Sequence, residues 1–101
     1  GEWDAAVAFY RAALARDPQR ADLRRALAYA DGLSAYLRGR YHDALRDLER
    51  WAEDMHAIDD AASRELALAA VTRLATLSEG AGETGLGERA AALAQRLAPR
   101  D

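Results

Sequence analysis

Apolar side chains along this chain recur every three or four residues and almost never every second residue, the spacing of helices rather than of sheet strands. Val7, Tyr10 and Leu14 line one helical stripe, which stops at Asp17-Pro18. Proline cannot continue a helix, and it holds the residue before it extended. A second run, Leu23, Ala26, Leu27, Ala30, Leu33 and Leu37, keeps the same period up to Gly39, where a left-handed residue suits a helix end. Its second stripe carries Arg25, Tyr29, Gly32 and Tyr36, so this helix expects neighbours on two sides. Tyr41, Ala44, Leu45, Leu48, Trp51, Ala52 and Met55 form the apolar face of a third helix. The spacing predicts a fourth from Asp60 to Leu77, with Leu66, Ala70, Leu74 and Leu77 on one side and Leu68, Val71 and Ala75 on another. Residues 78–85 (SEGAGETG) read as a flexible inter-helix loop, and a fifth helix covers Leu86 to Ala98.

Small residues punctuate these stripes. Ala6 and Ala13 lie beside the Val7–Leu14 stripe, where a methyl group alone would separate two helix backbones and permit packing near the short end of the usual ~8–10 Å. Gly1, Trp3, Ala6, Tyr10, Ala13 and Pro18 together resemble the second helix of a tetratricopeptide repeat. Gly39 to Trp51 repeats that opening, with Gly39 at Gly1, Tyr41 at Trp3 and Ala44 at Ala6. This copy is degenerate, since Leu48 replaces the aromatic, Trp51 replaces a small residue and no proline follows. Gly82, Gly87, Ala94 and Pro99 give a third, weaker copy.

The resemblance implies an all-α, right-handed solenoid of about five antiparallel helices, two and a half degenerate repeats in one domain over residues 1–101. It implies a scaffold that binds a partner protein or peptide through a groove lined by the first helix of each pair. In this chain that places Arg25, Tyr29, Leu33 and Tyr36 in the groove, with Arg64 and Leu68 from the fourth helix. The tyrosines suit helix–helix packing equally well. The family's chaperone-tail variety clamps a carboxylate with Lys and Asn, and this chain contains neither.

Composition narrows the function classes. All 14 basic residues are Arg, and with the abundance of Ala this points to a GC-rich, bacterial coding sequence. The net charge of −3 argues against a nucleic-acid binder. No apolar run reaches the ~20 residues of a membrane span. Zero cysteines exclude a disulfide frame, a thiolate zinc site and a cysteine nucleophile, and fit cytoplasm and periplasm alike. Ser34, Ser63 and Ser78 stand at no triad spacing from His42 or His56, and GAGETGLG lacks the strand and Lys-Ser/Thr ending of a phosphate loop. Glu53 and His56 make a single Glu-x-x-His step without the second copy a di-iron bundle needs, and Asp59 and Asp60 suit a helix N-cap better than a metal. Asp47, Arg50 and Asp54 read as exposed ion pairs. We therefore expect no enzyme, no cofactor and no metal. The alternative to a scaffold is a structural or regulatory helical spacer of a larger enzyme.

The chain opens as if mid-repeat, with the partner helix that should precede Gly1 missing. Trp3, Phe9 and Tyr10 spread over more than one face of the first helix, so one neighbour cannot cover them all. They mark an expected end-face interface, for self-association or for an upstream helix.

Overall fold

The computed structural model describes residues 1–53 and 60–99, all of them helix, turn or helix terminus, with no strand among them. Asp54, Met55, His56 and Asp59, read above as apolar-face, ion-pair or ligand candidates, lie outside the described residues. Five helices are described: α1 Glu2–Arg16, α2 Ala21–Leu37, α3 Tyr41–Ala52, α4 Ala61–Gly80 and α5 Thr84–Leu97. They fall into two compact units, Gly1–Asp54 and Met55–Asp101.

In the first unit α2 is the middle element, packing against both α1 and α3. The α2–α3 seam follows a ladder. Tyr36 meets Tyr41 with ring centroids 6.2 Å apart, and Tyr29 meets the edge of Trp51 at 4.8 Å. Between these rungs Gly32 lies against Leu48 and the Ala44 backbone, with Ala44 and Leu48 fully buried. A β-carbon at Gly32 would stand 2.8 Å from Leu48 Cγ and 3.4 Å from the Ala44 carbonyl oxygen. The hydrogen atom of glycine therefore sets the approach of the two helices.

In the second unit α4 packs on α5 around Ala67, Ala70, Val71, Leu74, Leu86, Ala90, Leu93 and Leu97, all buried. The expected loop at 78–85 is shorter than the composition implied. Helix continues to Gly80 and resumes at Thr84, leaving only 81–83 between. The cause is the turn chemistry. Gly82 takes φ +79, its N–H donates to the Glu79 carbonyl, and the Glu83 N–H donates to that of Ser78 at 2.8 Å. This is a Schellman closure. Gly39 (φ +77) ends α2 the same way, with Arg40 N–H donating to the Ala35 carbonyl at 2.9 Å.

The two hairpins therefore share a design. A small residue on the first helix, a left-handed glycine seven positions later and a small residue five beyond that stand at Gly32, Gly39 and Ala44, and again at Ala75, Gly82 and Gly87. A β-carbon at Gly87 would lie 3.7 Å from the Ala75 carbonyl oxygen, the counterpart of the Gly32–Ala44 contact.

Two stability predictions follow from the packing. Gly32→Ala gains about 1 kcal/mol of helix propensity but drives a methyl group into a leucine with no room to move. The net change should be a loss of ~1–3 kcal/mol, read by chemical denaturation. Ser78 is 1 % exposed and its hydroxyl has no hydrogen-bond partner among the described residues. Ser78→Ala should therefore stabilise by about 1 kcal/mol, since it removes an unsatisfied polar group without adding volume.

Candidate interaction trough

Each helix of the Gly1–Asp54 unit turns one polar stripe toward a common trough. From α1 come Asp4, Val7 and Arg11; from α2 come Asp31, Ser34, Ala35 and Arg38. Asp43, Arg46, Asp47 and Arg50 of α3 complete it, with Arg40 just ahead of that helix. All three stripes run at steps of three, four or seven, two turns of one face, so α2 forms the floor and α1 and α3 form the walls. The cleft encloses about 490 Å³. A smaller notch of about 190 Å³ adjoins it, between Trp3, Leu37 and Arg38.

Charge organises the trough. Asp4 is the tie between α1 and α2: Ser34 Oγ–H donates to its Oδ1 at 2.6 Å, and Arg38 sits 2.9 Å from its Oδ2. These hydrogen bonds hold the Asp4 carboxyl well below the usual carboxylate range, the serine contributing most. Arg11 reaches Asp31 at 3.4 Å, a second α1–α2 bridge. On α3, Arg46 lies 3.4 Å from Asp43 and 3.7 Å from Asp47. Burial pushes the Asp47 carboxyl up, against the pull of Arg46. Arg46 stands between the two aspartates, and Arg50, expected as the partner of Asp47, also draws on that carboxyl from farther off. Five arginines face four aspartates here, and Arg40 and Arg50 make no ion pair among the described residues.

None of the groove residues expected from sequence lines this trough. Tyr29 (8 % exposed) and Leu33 (3 %) are buried, Tyr29 between Trp3 at 5.6 Å and Trp51. Tyr36 is half-buried against Tyr41, and Arg25 is half-buried. The two tyrosines lie on the seam with α3, because Tyr41, Ala44, Leu48 and Trp51 repeat at the spacing that meets it. The trough uses the α2 stripe two residues on, some 200° around the helix. Arg64 and Leu68 are half-buried in the second unit. Of the end-face residues, Trp3 and Tyr10 are half-buried and Phe9 stands out at 67 % exposed.

No protein-family model, curated protein or solved structure matches this chain. No cluster of three or more metal-ligating side chains occurs among the described residues, and no described helix is long and apolar enough to cross a membrane.

The trough residues that sequence reading missed carried a signal of their own. Asp4/Arg11, Asp31/Arg38 and Asp43/Arg50 each set an acid seven residues before an arginine, on three successive helices.

Because the Asp4 carboxyl is depressed by folding, its contribution is complete above its unfolded pKa of about 3.9 and is lost as pH falls below it. Thermal melts should therefore show the α1–α2 contact weakening on acidification below about pH 4. Asp4→Asn should melt lower at neutral pH and lose part of that acid dependence.

Proposed function

We propose that this chain is a protein-interaction module whose trough over α2 holds an acidic, extended segment of a partner protein. The observation that carries this reading is a pair of trough arginines, Arg40 and Arg50, that make no ion pair among the described residues. Arg40 and Arg50 stand at the two ends of the α3 wall, about 15 Å apart along the helix axis, beside a cleft with an excess of arginine over aspartate. A carboxylate-bearing chain laid along that wall meets both guanidiniums and can also compete for Arg46. Charge-assisted pairs of this kind favour Arg because its planar fork matches a carboxylate. The resemblance to tetratricopeptide repeats, and the shared design of the α2–α3 and α4–α5 hairpins, support the same class of function and a helical-hairpin solenoid as its frame.

One observation favours the spacer reading. All four aspartates of the trough lie within 4 Å of an arginine, so the walls are internally balanced without a ligand.

Titration with a Glu-rich peptide, followed by amide chemical shifts, separates the two. A binding trough should shift residues of all three stripes, a neutral peptide of equal length should not, and affinity should fall with added salt. Arg40→Glu with Arg50→Glu should weaken binding about tenfold while leaving stability within ~0.5 kcal/mol, as both side chains are exposed. Shifts absent, or unchanged in the double variant, would leave the spacer reading standing.

A further inference from the structure

The trough engages one side of α1, and the opposite side is uncovered. No residue of α1 is fully buried. Trp3, Ala6, Val7, Tyr10, Ala13 and Leu14 are half-buried on the side of α2, while Glu2, Ala5, Ala8, Phe9, Ala12 and Arg16 are exposed. Among the described residues only Phe9, Leu37 and Leu66 are large apolar side chains left in solvent, and Phe9 projects from the middle of this helix. Its ring is braced edge-on by Tyr10, with centroids 5.6 Å apart.

The uncovered face has a symmetry of its own. Glu2, Phe9 and Arg16 are seven residues apart, so they fall within about 40° of one line along the helix. The acid and the base stand about 10.5 Å to either side of the ring. Ala5 and Ala12 lie between them, small enough for a second backbone to come close. Neither Glu2 nor Arg16 makes an ion pair among the described residues. Each suits the dipole of its own helix end, which places the charges without engaging them. Rotating this face by 180° about an axis through Phe9 exchanges Glu2 with Arg16 and Ala5 with a position next to Ala12. It is complementary to itself when run antiparallel, as a two-fold contact requires.

We infer that α1 is a homotypic interface: it packs antiparallel on α1 of a second copy of this chain, with Phe9 at the two-fold axis, the alanines at the close approach and Glu2 of each copy paired with Arg16 of the other. The inference does not rest on the trough, which opens some 150° away around α1 and stays accessible in the dimer. One helix pair buries less than the ~1,200–2,000 Å² of a stable complex, so the association is weak and concentration-dependent.

Sedimentation equilibrium of the 101-residue chain tests it. At low salt a monomer–dimer equilibrium is expected, and Phe9→Ala should weaken it at least about tenfold with unchanged helical circular dichroism, because Phe9 is 67 % exposed and its ring meets that of the adjacent Tyr10. Glu2→Arg should weaken it several-fold by setting like charges together, and combining Glu2→Arg with Arg16→Glu should restore it. Restoration distinguishes an antiparallel α1 pair from any other contact. A chain that stays monomeric up to about 1 mM, a dimer indifferent to Phe9→Ala, or a double variant no better than the single one would each overturn the inference. Phe9→Ala should leave the Glu-rich peptide titration unchanged, so the two readings fail independently.

Discussion

Tyr29 is the point on which the Gly1–Asp54 unit depends. Its ring lies between Trp3 of α1 and Trp51 of α3, so one side chain of the middle helix holds both neighbours. Edge-to-face contacts of this kind add ~0.5–1.5 kcal/mol each beyond the area they bury. α1 depends on it most, because that helix has no fully buried residue to anchor it elsewhere. One turn further along α2, Gly32 allows α3 to approach until Leu48 is sealed. Ring and glycine therefore act together, the aromatic fixing where the helices cross and the missing side chain fixing how near they come.

That arrangement explains why the trough is polar. The stripe of α2 that carries Tyr29, Gly32 and Tyr36 is consumed by the seam, so what α2 offers to the trough is Asp31, Ser34, Ala35 and Arg38. Asp4 then has two tasks in one carboxylate. It satisfies the Ser34 hydroxyl and holds Arg38, which closes the α1–α2 junction at its open end, and it also forms part of the cleft wall. A partner that draws Arg38 away would loosen the junction of α1 with α2, so occupancy of the trough and the docking of α1 are linked.

Most of the helical framework was legible in the chain itself, since periodicity and punctuation agreed. Pro18 and Gly39 stop helices at or next to where the pattern stops. The loop at 78–85 was overdrawn because composition alone counts glycines without asking which of them turns. Gly80 and Gly85 sit inside helices, and Gly82 alone reverses the chain. The role of the α2 tyrosines was left open between groove and packing for a related reason. A semi-apolar stripe with tyrosines looks the same in sequence whether it meets a ligand or a neighbouring helix. Only the matching stripe on α3, Tyr41–Ala44–Leu48–Trp51, decides for the neighbour, and that match depends on a register that spacing within α2 does not contain.

The charged positions show the opposite limit. Read one helix at a time, Asp43, Arg46, Asp47 and Arg50 are a solvated face with pairs of small value. What changes their meaning is that α1 and α2 turn similar stripes to the same side, so that the three together enclose a cleft and Asp47 becomes partly desolvated. Only Asp47 leaves the well-screened surface in this way, whereas Arg40 and Arg50 stay exposed and reach a ligand through water and salt. Phe9 follows the same logic in reverse. Its position on α1 was plain from a 100° step, but its exposure became informative only once every other aromatic of the unit was found packed against a neighbouring helix or, like Tyr10, half-buried. A large ring left in solvent, centred between an acid and a base that make no ion pair among the described residues, is the feature from which a contact with a second copy is inferred.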